Sequence, residues 1–186
     1  SLLLCSLGWF AFAKYDFPGR NVIFIMLLAT MIVPFHATMI PVFLLLLKLG
    51  LINTYSALIL PRGANAFGVF LIRQYVSSAV PNELLDAARI DGCSEFRIFR
   101  SIVLPIIKPG LGALTIYLFL NSWNDFMWPL IVLSDPNKYT IPLGLASLIG
   151  PYSRHYNVLM AGSMLASAPV LILFLAMQKQ FISGLT

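Results

Sequence analysis

The chain is 186 residues long, with 59% hydrophobic and 10% charged residues and a mean hydropathy of +0.88. Soluble proteins carry roughly 25% charged residues, so 12 basic and 7 acidic side chains cannot clothe a water-soluble globule of this size. The distant pair Cys5 and Cys93 excludes a disulfide scaffold, the apolar content excludes disorder, and a net charge of +5 scattered singly between apolar runs excludes a nucleic-acid surface.

The bilayer remains as the solvent, and the expected spans follow in chain order. Crossing its hydrocarbon takes about 20 apolar residues in a helix. Residues 1–13 are apolar but too short, and are expected to be the tail of a helix that begins before this chain. Lys14 follows that run, whereas a signal peptide places its basic residues first. Residues 22–47 hold no charged side chain and form the next span, with kinks expected at Pro34 and Pro41. Further spans lie at 55–75, with Arg62 near one end, at 110–133, which carries Asp125, and at 157–178, which is uncharged. Lys14, Arg20, Arg73, Arg89, Arg97, Arg100, Lys108 and Lys179 fall on one side of this layout. Lys48, Arg62, Lys138 and Arg154 fall on the other, so the first side is expected to be cytoplasmic and to hold the C-terminus. The whole chain, 1–186, is expected to be one domain, an all-α polytopic transmembrane helical bundle in the cell membrane.

The connection at 80–108 holds four of the acids, Glu83, Asp86, Asp91 and Glu95, and predicts two short helices around a break. Asn82 is the expected N-cap of the first, with Glu83 and Asp86 near the positive end of its dipole. Gly92 suits the left-handed residue that ends it, Ser94 can cap the second helix, and Pro105 is expected to stop that one. Leu84, Leu85, Ala87, Ala88 and Asp91 share a face of the first helix, opposite Glu83, Asp86 and Arg89. The second should set Phe96, Phe99, Ile102 and Val103 against Arg97 and Arg100. Residue chemistry leaves a helix lying at the lipid interface and a docking element equally open.

The stretch ELLDAARIDGCSEFRIFRSIVLPIIKP, 83–109, resembles the cytoplasmic EAA loop of ATP-binding-cassette importer permeases, nearest to the carbohydrate-uptake branch related to the maltose permease subunits. Ala87, Ala88, Asp91, Gly92, Phe99, Ile102, Leu104 and Pro105 carry the match, and Asp86 stands where the family has its leading Glu. The Phe17-Pro18-Gly19-Arg20 turn, the Ser122-Trp123-Asn124-Asp125 segment and the closing Gly184-Leu185 extend it over almost the whole chain. The resemblance implies a type I importer-like permease, here N-terminally incomplete, whose coupling loop comprises Glu83, Asp86, Ala87, Ala88, Asp91, Gly92, Phe99, Leu104 and Pro105. It also implies separate ATPase subunits, a second permease subunit that is identical or homologous, and an extracytoplasmic solute-binding protein. The chain has no G-x-x-x-x-G-K-[ST], so ATP hydrolysis is expected on a partner, with no cofactor, metal or catalytic residue in this chain.

Asn121, Trp123, Asn124 and Asp125 are the candidate solute pathway. A carboxylate in hydrocarbon is costly unless it faces water or a partner, and the amides and indole suit a sugar. The competing expectation is an interfacial belt of Trp123 and Trp128 with Asp125 paired to a neighbouring helix. Arg62 is expected to snorkel to the outer interface, and His36 to be a satisfied buried histidine. The segment 134–156, with Tyr139, Tyr152, Arg154, His155 and Tyr156, is a candidate contact for the solute-binding protein. Gly162, Ser163, Ala166 and Ser167 read as packing against a second permease. The rival function is an ion-coupled secondary transporter working through Asp125 and Arg62.

Overall fold

The computed structural model describes Gly8, Phe12 and residues 17–149 and 156–183. The expected partial span at 1–13 falls almost wholly outside the described residues, as do Lys14, Tyr152, Arg154, His155, Gly184 and Leu185. Among the described residues the regular structure is helical. The order is α1 (Arg20–Thr30), α2 (Phe35–Lys48), α3 (Tyr55–Ile59), α4 (Ala66–Ala79), α5 (Asn82–Ile90) and α6 (Glu95–Ile98). A π-helical turn (Phe99–Val103) leads into α7 (Leu104–Ile106) and then α8 (Lys108–Trp123), α9 (Met127–Val132), a 3-10 turn (Pro136–Lys138), α10 (Ile141–Ser147) and α11 (Tyr156–Ser183). The helices group into two units, one of residues 1–33, 64–115 and 178–186, the other of 34–63 and 116–177.

The first unit is organised by α4. Val69, Ile72 and Val76 recur at helical spacing and are buried, together with Val80, Leu85, Ile98, Val103, Ile107 and Leu114. Asn65 caps α4 by accepting a hydrogen bond from the Gly68 N–H at 2.8 Å. Gly110 lies against the face of the Tyr75 ring, so a Cβ there would sit 2.9 Å from ring carbons. The Arg73 guanidinium covers the buried Phe24 ring at 3.9 Å from its centroid.

The second unit is built around Trp128, which is 1% exposed, with Met39, Leu46, Ala57, Val132, Leu133 and Leu143. Sequence pattern placed Trp128 in an interfacial belt, and its burial corrects that expectation. Pro61 has no N–H, so the Ala57 carbonyl lacks its partner one turn on, and the Trp128 Nε1–H donates to it at 2.9 Å. α2 ends in a Schellman turn, with Gly50 at φ 68, Gly50 N–H on the Leu47 carbonyl and Leu51 N–H on the Leu46 carbonyl.

Several expected spans are interrupted. The 22–47 run is two helices, because Pro34 sits at the N-cap of α2 and disfavours helical geometry at the residue before it. Pro41, by contrast, is accommodated inside α2. The 55–75 run breaks at 60–65 around Pro61 and Gly63. The 110–133 run breaks at 124–126, where a continuous helix would drive the Pro129 ring into the Asp125 carbonyl. By length and composition, α11 alone can cross a membrane unaided, over Tyr156–Gln178, with a mean hydropathy of 2.2. Pairing Arg20–Thr30 with Phe35–Lys48, and Glu95–Ile106 with Lys108–Trp123, raises the candidates to three among the described residues.

Candidate functional site: a glycine-ended loop helix and a polar helix break

The loop 80–108 folds as a helix, a tight turn and a second helix. α5 starts one residue earlier than its sequence signal, with Pro81 rather than Asn82 at the N-cap, because an extended proline (φ −61, ψ 143) already fixes the entry. Glu83 is in its first turn. Gly92 has φ 76; its N–H bonds the Arg89 carbonyl and the Cys93 N–H bonds the Ala88 carbonyl, both at 3.0 Å, which completes a Schellman turn. Ser94 then caps α6 through the Arg97 N–H at 3.4 Å.

Arg89 ties the two helices. Its Nε lies 2.8 Å from Glu95 Oε1 and its Nη1 2.9 Å from Asp86 Oδ1. The Glu95 hydrogen bond is the main cause that raises the pKa of Arg89, with Asp86 adding to it against a burial effect that lowers it. Leu85 and Ala88 are the buried side of α5, whereas Leu84, Ala87, Ile90 and Asp91 are exposed, Ile90 to 87%. The face expected to be uniform is therefore split into an inner and an outer edge.

The second helix departs from expectation in its register rather than its length. It ends at Ile106, one residue past Pro105, close to where the proline was expected to stop it. The wide π-helical turn just before Leu104 gives the proline ring the room that a regular turn would deny it. That turn also shifts the register: Ile98 and Val103, five apart, are buried, while Phe96 is 71% exposed. Phe99 and Leu104 are half-buried and Pro105 is exposed.

The second constellation forms where α3 and α8 end. Arg62 Nη2 meets Asp125 Oδ2 at 2.7 Å, with the side chains 31% and 14% exposed. Arg62 Nη1 also donates to the Asn121 carbonyl at 3.3 Å, a last-turn acceptor of α8 that no following helical N–H reaches. The Phe35 ring lies 5.9 Å from the guanidinium carbon. A carboxylate and a helix C-terminus thus hold Arg62. His36 is not buried: it is exposed in the first turn of α2.

Asn121, Asn124, Asp125 and Arg62 line one open hollow of about 500 Å³ with Leu120, Phe126 and Met127. Trp123 faces another, of about 370 Å³, shared with Asn124, Leu145, Ser163, Ala166 and Ser167. Its Nε1–H donates to the Ala166 carbonyl at 3.0 Å and its ring stacks on Phe119 at 5.2 Å. The structure so separates Trp123 from Asn121 and Asp125, with Asn124 at both hollows. Of the small residues of α11, Gly162 packs on its own unit, where a Cβ would run into Leu145 Cδ2, whereas Ser163 and Ser167 are exposed.

Sequence reasoning missed Asn53. It has φ 61, its Oδ1 accepts from the Ser134 and Asp135 N–H groups at 3.1 and 3.0 Å, and its carbonyl accepts from Lys138 Nζ at 2.9 Å. The Asn after a Leu-Ile pair signalled a turn, but nothing local pointed 80 residues ahead. Asp135 caps the turn at Asn137, and the Asn137 N–H, then Lys138, hold its carboxyl below the usual range against partial burial. Among the described residues no three His, Cys, Asp or Glu side chains gather as metal ligands.

Apolar helices interrupted at prolines, together with one amphipathic loop helix that has an exposed apolar edge, define a helical membrane component. The family of binding-protein-dependent transport system inner membrane components matches residues 5–185, and the chain belongs to it. It is 48% identical over its full length to the arabinooligosaccharides transport system permease protein AraQ of Bacillus subtilis, and spans 66% of that relative. It is 41% identical to the lactose transport system permease protein LacG of Rhizobium radiobacter, again over its full length and 67% of the relative. Among solved structures, it is similar to a chain of a bacterial ABC transporter involved in the import of the acidic polysaccharide alginate. There the TM-score is 0.85 at 26% identity, over 97% of this chain and 68% of that one.

Proposed function

We propose that the protein is the transmembrane permease subunit of an ATP-driven importer that carries a sugar or related polyol into the cytoplasm. The observation that carries this reading is the loop helix α5, which ends in the Gly92 turn and leaves Leu84, Ala87 and Ile90 exposed beside Phe96. Apolar side chains on a short amphipathic helix want a partner's cleft. A separate ATPase subunit is that partner, on the cytoplasmic side with the C-terminus. Closure of the ATPases on ATP would move α5 and, through the Arg89 bridge to Glu95, the helix that follows. A second permease subunit completes the passage, and a solute-binding protein delivers solute outside, where 134–156 is the candidate contact. The relatives' arabinooligosaccharide and lactose systems support a sugar.

The test is to purify the full-length protein from native membranes beside an Ile90→Glu variant, a fully exposed change that leaves the fold intact. ATPase subunits that co-purify with the wild type and are lost from the variant are the expected result. Equal recovery from both would sink the docking role of α5. The Arg62–Asp125 pair favours a second reading, a secondary transporter, which requires uptake driven by an ion gradient with no ATPase bound.

A further inference from the structure

The hollow at the end of α8 contains both signs of charge, yet they are spent on each other. Arg62 could grip a phosphate, sulfate or carboxylate in a two-pronged hydrogen bond. Its Nη2 is instead on Asp125 Oδ2 at 2.7 Å, and its Nη1 is on the Asn121 carbonyl at 3.3 Å. Both prongs are thereby occupied from within the chain. Asn121 Nδ2 is also committed, to the Tyr117 carbonyl at 2.9 Å, which leaves its Oδ1 as an acceptor. The Asn124 amide is exposed on the same hollow and carries both a donor and an acceptor. What the site offers a solute is neutral hydrogen bonding from amides, beside the apolar edges of Phe126 and Met127.

We propose that Asp125 is a specificity-determining residue: by neutralising Arg62 it makes this hollow a subsite for uncharged, hydroxyl-rich solutes and denies Arg62 to anionic ones. This rests on the transport reading and deepens it. Hydroxyl groups pair with amides at no Coulombic cost, whereas an anion must first displace a carboxylate held at contact distance. Removing only the Asp125 charge should convert the hollow into an anion site.

The experiment uses the full-length chain, assembled with its partner permease, ATPase and binding protein in lipid vesicles. Uptake of a radiolabelled neutral oligosaccharide is read with sodium sulfate or sodium chloride at equal ionic strength. The binding protein is identical throughout, so a difference between variants reports the permease. Wild-type uptake is expected to be indifferent to sulfate. Asp125→Asn should lose uptake by about tenfold in millimolar sulfate relative to chloride. Arg62→Gln combined with Asp125→Asn removes both charges and should abolish the sulfate response, giving equal uptake in sulfate and chloride.

Wild-type inhibition by sulfate overturns the proposal, as does an Asp125→Asn protein that transports without regard to it. If the single variant fails to assemble, the sulfate response of Asp125→Ser decides: a loss of uptake in sulfate relative to chloride supports the proposal, and equal uptake overturns it. Absence of any ATP-driven uptake by the wild type is a separate outcome, and defeats the transport reading itself.

Discussion

Pro61 has no amide hydrogen to give the Ala57 carbonyl, and the Trp128 indole supplies one from 71 residues away. Trp128→Phe keeps most of the buried ring and removes only that donor. It should destabilise by about 1–3 kcal/mol, the cost of leaving a buried carbonyl unpaired, read as a lowered Tm in detergent. Trp128→Ala should cost about 3–5 kcal/mol because it also empties the centre of the second unit. Gly110→Ala is a different fault: its methyl meets the Tyr75 ring at 2.9 Å and should cost about 1–3 kcal/mol by overpacking. Tyr75→Leu in the same chain should recover part of that loss, and no recovery would show that the ring is not what the methyl strikes.

At the scale of elements, the ends of helices carry the consequences. Gly92 has open space around its missing Cβ, so strain alone opposes a larger residue. Gly92→Val should destabilise the turn by about 1–2 kcal/mol, while Gly92→Asn, which tolerates the left-handed region, should cost less. Hydrogen exchange at the Cys93 amide would rank the two. These features were legible in the sequence because they are local: a glycine after an amphipathic run, and a serine before the next. The breaks at 60–65 and 124–126 were not, since a proline in an apolar run is equally consistent with a kinked span. The register of the loop's second helix was misjudged for a related reason. A π-helical turn has no residue signature of its own, and it put Val103 rather than Ile102 on the buried side with Ile98.

The whole molecule is held by contacts that join distant parts of the chain within each unit, and these were the least legible. Trp128 fits a membrane-interface belt as well as a core, and only tertiary packing decides for the core. Arg62 and Asp125 were each recognisable as costly charges in apolar runs, yet their pairing depends on two helix ends meeting. Asn53 shows the same limit, since it fastens a turn to the segment 132–138. Asn53→Ala should raise hydrogen exchange across 133–138 without changing that of α4.

Asp135 gives that segment a pH dependence of known sign. Its folded pKa lies below the unfolded value, so its stabilisation is full above the ordinary carboxylate pKa and is lost as pH falls through the folded one. Exchange at the Asn137 amide should therefore rise on acidification, after correction for intrinsic rates, and should be pH-flat in Asp135→Asn.

Two of the chain's three tryptophans, Trp123 and Trp128, are placed so that the molecule carries its own optical probe. Trp123 and Trp128 both belong to the second unit, one stacked on a phenyl ring and the other sealed from solvent. With the protein's other tryptophans replaced by Phe, the emission comes from that unit alone. Blue-shifted light then reports the indoles seated on the Ala57 and Ala166 carbonyls, and a red shift on unfolding would time the loss of that packing with no attached dye.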